Sequence, residues 1–374
     1  MGIRVLIVDD SAMVRRVLSE ELGKDPMIQV VGAAKDPLDA SEKIEQLNPD
    51  VLTLDLEMPQ MDGMTFLRRL MRHHPMPVVV VSAYTKKGSK LALEALENGA
   101  LDIVPKPGMA YSLSEMTGEL VGKIKVAAKA NVGQRTPQGS GASRSDPLRA
   151  PRSTVPGVTG RTFPGASFSR KASEPVNVLP RLDRELPQNR MIAIGSSTGG
   201  TQALQYIVSR LPDDMPPILI VQHMPAGFTK AFADRLNGMS PMEVKEAEDH
   251  DQVRRGRVLI APGGKHMVLR KGGSKVWVEL NEGPKVCRQR PAVEVLFQSA
   301  ANSVGGSALG VILTGMGNDG AEGMLAMKKA GSITIAEDEK SCVVFGMPME
   351  AIKKGGVDHV VHLHQIALKL TQLV

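Results

Sequence analysis

Residues 2–11 read GIRVLIVDDS, and residues 191–200 read MIAIGSSTGG. Each begins as a short apolar run and ends in a loop, acidic in the first case and built of Gly, Ser and Thr in the second. Runs of this length with polar ends are read as strands buried in a sheet. Outward from the first lie five strand candidates, Arg4–Val8, Ile28–Val31, Val51–Leu54, Val78–Val81 and Asp102–Val104. Helical patterns fall between them, for example at Ala12–Leu22 and Leu67–His73. Outward from the second, Met191–Ile194, Ile218–Val221, Val258–Ile260, Gly310–Leu313 and Ile333–Ile335 are strand candidates. They alternate with helical stretches at Thr201–Leu211, Phe228–Leu236, Val293–Ser303 and Ala321–Lys329. Strand–helix alternation predicts a parallel sheet with helices on both faces, and here it occurs twice. His266–Leu280 departs from it and reads as a β-hairpin turning at Lys271-Gly272-Gly273-Ser274, with the sole Trp, Trp277, as a packing residue.

The two alternating regions are separated by a stretch rich in Gly, Pro, Ser, Thr and Arg, predicted to be a flexible linker at 128–189 between domains at 1–127 and 190–374. From Lys129 to Arg190 there are 11 Lys or Arg against 4 Asp or Glu, a net +7, so the rest of the chain is near −1 although the total is +6. Neither domain is therefore basic, and nucleic acid is not expected as a partner. Phe163 and Phe168 are too sparse to make a base-stacking platform in the linker. No apolar run is long enough to cross a bilayer, and the start turns acidic where a signal peptide would stay apolar. The expectation is a soluble, cytoplasmic protein without membrane insertion. With 3% aromatic residues, its cores must be made from Val, Ile, Leu, Ala and the 21 Met.

In the first domain Asp9 and Asp10 end the first strand, Asp55 the third and Ser82 the fourth, and Lys106 follows the fifth. Ligands of open parallel sheets gather at such strand ends. Three carboxylates there call for a hard divalent cation, and Mg²⁺ suits their oxygen ligands. A lysine and a hydroxyl facing them suit an acyl-phosphate on Asp55. With VDDS at 8–11, DLEMPQMDG at 55–63, SA at 82–83 and PKP at 105–107, residues 1 to about 125 resemble a two-component receiver domain. The resemblance implies that Asp55 is phosphorylated by a histidine kinase. It also implies that Asp10, Asp55 and the Glu57 backbone carbonyl ligate Mg²⁺, and that Ser82 and Lys106 sense the phosphoryl group. The switch position that is often aromatic in receivers is Ile103 here, so an aromatic flip is not the output device.

In the second domain the loop Gly195–Gly200 joins a strand to a helix. It suits an oxyanion or a phosphate equally well, because a helix N-terminus favours either. Two further strand-end loops favour a hydrolase: His223 lies in Val221–Pro225, and Asp319 in Thr314–Gly320. A Ser, a His and an Asp on converging loops make a nucleophile, a base and its orienter. By chemistry alone Ser196 rivals Ser197 as nucleophile. SSTGG at 196–200, QHMP at 222–225, APGGKHM at 261–267, TGMGNDG at 314–320 and FGMP at 345–348 resemble the catalytic domain of the CheB family, the chemotaxis protein-glutamate methylesterases. That resemblance implies Ser197 as nucleophile, His223 as general base and acid, Asp319 as its orienter, Thr198 beside the nucleophile and the Met316 N–H as oxyanion donor. It further implies hydrolysis of glutamate γ-methyl esters on methyl-accepting chemotaxis receptors, deamidation of receptor glutamines, control by a chemotaxis histidine kinase, and no cofactor at the esterase site.

Other residues draw structural expectations. His359, His362 and His364 in DHVVHLH read as solvated histidines around an edge strand, Cys287 and Cys342 as packing residues, and Lys90–Glu97 as an ordinary amphipathic helix. His250 and His266 lie near loops that could line a groove. Two rival functions are a DNA-binding response regulator, which lacks a recognition helix here, and a nucleotide-binding module using the SSTGG loop.

Overall fold

A computed structural model describes residues 2–58, 62–83, 85–107, 112–130, 177–187 and 189–374. The first domain runs β1 (Ile3–Val8), α1 (Ala12–Leu22), β2 (Ile28–Ala34), α2 (Pro37–Leu47), β3 (Val51–Asp55), α3 (Gly63–His73), β4 (Val78–Ser82), α4 (Lys86–Glu97), β5 (Asp102–Pro105) and α5 (Leu113–Ala127). Its five strands are parallel in the order β2-β1-β3-β4-β5. The order reverses at β1, so a crevice opens between the carboxyl ends of β1 and β3, where Asp9 and Asp55 stand. Local sequence fixes this end. Ser11 of the VDDS motif caps α1 by accepting the Val14 N–H, and Asp62 caps α3 by accepting the Met64 N–H.

The second domain runs β6 (Met191–Ser196), α6 (Gly200–Val208), β7 (Ile218–Gln222), α7 (Phe228–Asn237), β8 (Glu243–Glu246), β9 (Arg257–Ile260), β10 (His266–Gly272), β11 (Lys275–Asn281), α8 (Val293–Ser303), β12 (Ala308–Ile312), α9 (Ala321–Lys329), β13 (Ile333–Glu337), α10 (Met347–Lys353), β14 (His359–Val361) and α11 (Leu363–Leu373). Seven strands form one parallel sheet in the order β14-β13-β12-β6-β7-β9-β8, and β10 and β11 pair as an antiparallel hairpin. Here β6 is the reversal point, because β7 lies on one side of it and β12 on the other. The loops after β6, β7 and β12 are therefore neighbours. The central strands are buried on both faces, which is why they read as continuous apolar runs.

The sequence pattern misses one strand, β8, a short edge strand, EVKE, with too few buried positions to show a period; β14, HVV, is the edge strand expected within DHVVHLH. Most of the expected linker, residues 131–176, lies outside the described residues. Residues 177–187, assigned to the linker from composition, instead pack on the second domain. The Leu179 N–H donates to Arg210 O, and the Leu182 and Asp183 N–H groups donate to the Asp214 carboxylate at 3.0 Å each. Leu179, Leu182 and Leu186 lie against its core; their spacing was hidden among charged neighbours. Among the described residues no helix is long and apolar enough to cross a membrane.

Candidate active site and phosphoryl pocket

In the first domain Asp9 and Asp55 are 1% and 2% exposed. Lys106 Nζ lies 2.7 Å from Asp55 Oδ2 and 2.9 Å from Asp9 Oδ2. Backbone donors hold the other oxygens: Ser11 N–H on Asp9 Oδ1 at 2.9 Å, and Glu57 N–H on Asp55 Oδ1 at 3.1 Å. Burial raises the Asp9 carboxyl above its ordinary range against the pull of Lys106. For Lys106 burial opposes the charge, but Asp55 and Asp9 outweigh it and raise its pKa. Oxygens of Asp9, Asp10 and Asp55 lie within 4.8 Å of one another, the one group of this kind among the described residues. One ammonium among three carboxylates, two of them buried and Asp10 exposed, leaves an excess of negative charge, and a divalent cation fits such a donor set. Ser82 does not touch this cluster. Its hydroxyl donates to Gly88 O in the first turn of α4 at 3.2 Å, while its carbonyl accepts the Lys106 N–H at 2.8 Å.

In the second domain the structure brings Ser197, His223 and Asp319 to the β6 reversal point. His223 Nε2 is 2.7 Å from Asp319 Oδ2. Asp319 is 2% exposed and is also held by the first turn of α8: the Val293 N–H donates to Oδ2 at 2.7 Å and the Glu294 N–H to Oδ1 at 2.9 Å. An ionised carboxylate at a helix N-terminus is stabilised both by these donors and by the helix dipole. An acceptor on Nε2 fixes the tautomer with the proton there and leaves the lone pair on Nδ1. That Nδ1 atom is buried and, among the described residues, has no hydrogen-bond partner.

Ser196 and Ser197 part company in the structure. Ser196 is fully buried, and its hydroxyl donates to Gln222 Oε1 at 2.7 Å. Ser197 is fixed through its backbone: its N–H donates to Thr314 O at 3.0 Å, and its carbonyl accepts from Gln222 Nε2 at 2.9 Å. Among the described residues its hydroxyl has no hydrogen-bond partner. Gln222 thus clamps both serines from the adjacent strand, a role its motif position did not disclose. The loop after β12 packs directly on this turn. A Cβ at Gly315 would lie 2.7 Å from Ser197 Cβ, so glycine is required for the approach. Thr314 pins the loop by donating from Oγ1 to Thr198 O, accepting from the Val343 and Val344 N–H groups, and donating its own N–H to Glu337 Oε2 at 2.9 Å. Met316 is 49% exposed beside the site, and among the described residues its N–H has no acceptor.

The first domain covers this site. A narrow cavity is lined by Ser197, His223 and Met224 on one side and by Leu101, Asp102 and Lys123 on the other. Thr198 Oγ1 donates to Asp102, and Gln202 Nε2 donates to Leu96 O at 2.7 Å. Arg235 of α7 is ion-paired with Glu97 at the end of α4. The helix at Lys90–Glu97, expected to be an ordinary amphipathic one, is therefore part of the interface. No sequence signal marks its far end as a docking surface, because Glu97 and Asn98 look like any solvated C-terminus.

The remaining candidates take structural places. His266 is 2% exposed, accepts the Ala292 N–H on Nδ1 and contacts Pro284 O through Nε2. His250 is exposed beside Asp249. His359 lies on β14, His362 caps α11, and His364 stacks on Tyr206 with ring centroids 4.8 Å apart. Among the described residues these three do not gather as a metal site. Cys342 is partly buried, and burial raises its thiol pKa, but Cys287 is exposed and is not the packing residue expected.

Two family models match the chain: the response regulator receiver domain over residues 5–117 and CheB methylesterase over residues 192–370. The chain is 50% identical over 373 residues to protein-glutamate methylesterase/protein-glutamine glutaminase 2 of Syntrophus aciditrophicus, covering 100% of this chain and 99% of that one. It is 46% identical to protein-glutamate methylesterase/protein-glutamine glutaminase 3 of Geobacter metallireducens, covering 99% of each. Among solved structures, the Thermotoga maritima CheB methylesterase catalytic domain is 45% identical and matches with a TM-score of 0.49, covering 50% of this chain and 98% of that one.

Proposed function

This chain belongs to the CheB family of protein-glutamate methylesterases/protein-glutamine glutaminases, and from that premise we propose that Ser197 is the nucleophile for both of its reactions. The protein hydrolyses glutamate γ-methyl esters to glutamate and methanol and deamidates glutamine, under the control of its receiver domain. The observation that carries the residue assignment is the His223–Asp319 pair at 2.7 Å, with a buried Nδ1 left free to act as base.

In the first half-reaction His223 Nδ1 takes the Ser197 hydroxyl proton as Oγ attacks the side-chain carbonyl. Asp319 steadies the imidazolium through Nε2–H, and the Met316 N–H receives the oxyanion. Collapse expels the methoxy group, which takes the proton from Nδ1 and leaves as methanol; from glutamine, ammonia leaves in the same way. In the second half-reaction water gives a proton to Nδ1 as it attacks the acyl-enzyme; collapse breaks the bond to Ser197 Oγ, which takes that proton back, and releases glutamate.

In the receiver, Asp55 is the phosphoacceptor. Asp9, Asp10, Asp55 and the Glu57 carbonyl would hold Mg²⁺, which would supply positive charge against the phosphoryl oxygens. A phosphoryl group adds about −2 and gives Ser82 and Lys106 a stronger partner than Gly88 O and Asp9. Ser82 would thereby release the start of α4, whose other end holds Gln202 and Arg235. Phosphorylation therefore favours the arrangement in which Ser197 is uncovered, a population shift between two dockings. The phosphodonor is a chemotaxis histidine kinase, the substrates are methyl-accepting chemotaxis receptors, and the setting is the cytoplasm.

The test is methanol release from methylated receptor membranes. Ser197→Ala is expected to lower it by on the order of a thousand-fold or more, with phosphorylation at Asp55 intact. Near-normal release would place the nucleophile elsewhere.

A further inference from the structure

The contact that covers the esterase site is chemically specific. Asp102, the first residue of β5, reaches out of the receiver, and its Oδ2 accepts the hydroxyl of Thr198, the neighbour of Ser197. Its Oδ1 is 2.7 Å from Lys123 Nζ, which lies 2.8 Å from Glu119. Asp102 and Lys123 are each only 15% exposed. Burial opposes the Lys123 charge, but Asp102 and Glu119 outweigh it and raise its pKa. A cover that merely filled space would not need charge here. Leu96, Leu101 and Ile103 line the same cavity, and apolar groups of similar size would avoid the desolvation cost that a buried ion pair incurs. What the receiver presents beside Ser197 is a carboxylate, the functional group that hydrolysis leaves on the substrate. It meets a hydroxyl that has one proton to donate, one residue before the αL turn at Gly199 that opens α6. The Thr198 proton cannot serve Asp102 and a substrate acyl group at once.

We propose that Asp102 is a tethered analogue of the reaction product, occupying the Thr198 hydroxyl that otherwise receives the glutamyl carboxyl group of the substrate. The inference rests on the esterase reading and adds to it a subsite, Thr198, and the reason that the resting receiver competes with substrate. Asp102 and the phosphoryl-sensing Lys106 lie near opposite ends of β5, so a pull on Lys106 acts on the strand that carries the analogue.

The experiment compares basal methanol release by the unphosphorylated full chain in wild type, Asp102→Ala, Thr198→Val and the double variant. Loss of a charge-assisted hydrogen bond predicts that Asp102→Ala raises the basal rate about ten-fold or more. With phosphodonor, Asp102→Ala and wild type should converge. Asp102→Asn, which keeps an acceptor for Thr198 but loses the charge, should fall between them. On the Thr198→Val background the Asp102→Ala gain should vanish, because the two residues act through one bond. An unchanged basal rate in Asp102→Ala, or a gain that persists in full with Thr198→Val, would overturn the proposal: the receiver would then cover the site by bulk or through Lys123. Phosphorylation of Asp55 in every variant reports an intact receiver. Absence of methanol release even from phosphorylated wild type would strike the esterase reading instead.

Discussion

Both domains place aspartates at the carboxyl ends of a parallel sheet, one in the second domain and three in the first, and their charge is balanced to different degrees. Asp319 has both oxygens held, by two backbone N–H groups of α8 and by His223. Asp9 and Asp55 share one ammonium, from Lys106, and Asp10 stands exposed beside them. A fully bonded carboxylate keeps one geometry, which suits an orienter of a catalytic base. A cluster with more carboxylates than cations changes state when a charge arrives, which suits a switch. The same strand-end position thus gives a fixed site in one domain and a responsive one in the other.

That contrast can be broken by substitution. Asp319→Asn should lower the turnover rate by on the order of a thousand-fold or more, since an amide presents the wrong partner to His223 Nε2. The basal and phosphodonor-stimulated rates should fall by the same factor, because the fixed site has no part in switching. A drop under about ten-fold in a folded protein would mean that Asp319 is not the orienter.

Asp55→Asn should do the reverse. It should leave the basal rate near wild type and remove the whole response to phosphodonor. Lys106→Ala should weaken that response and, by leaving buried Asp9 and Asp55 without their counter-charge, destabilise the receiver by about 3–5 kcal/mol in the absence of a cation. Added Mg²⁺ should restore part of that loss, read as a rise in the midpoint of thermal unfolding. No Mg²⁺ effect on either protein would argue against a cation in this pocket.

The smallest expected effect concerns Asp214, a fourth buried aspartate. Burial would raise its pKa, but the Leu182 and Asp183 N–H groups and Arg255 outweigh it, and the pKa is lowered. Its contribution is therefore present above the unfolded value of about 3.9 and is lost as pH falls through the lower folded value. Hydrogen-exchange protection of residues 179–183 should weaken below that range and be weakened at neutral pH in Asp214→Ala. Protection unchanged in both cases would show that apolar packing of Leu179, Leu182 and Leu186 suffices.

Much of this was legible in the sequence, for a physical reason. Central parallel strands are buried on both faces, so β1, β3, β4, β6, β7 and β12 announce themselves as apolar runs, and the residues that follow them are polar because ligands meet them there. Helices α1, α8 and α9 were legible to the residue from their periodicity. Three features were not. The ring orientation of His223, with Nε2 on Asp319, depends on backbone placement that no motif encodes. The segment at 177–187 hides three core-packing leucines among Arg and Asp. Asp102 and Lys123 sit one on a strand and one on a helix in a domain without catalytic residues, and only docking gives Asp102 a partner in Thr198.

The central claim is that the unphosphorylated receiver keeps Ser197 out of reach. Covalent labelling of the full chain by a serine-directed phosphonate tests it directly, with the modified residue identified by peptide mapping. Labelling should fall on Ser197, be slow in the unphosphorylated protein, and accelerate with phosphodonor only when Asp55 is present. Labelling at Ser196, or equal rates with and without phosphorylation, would contradict it.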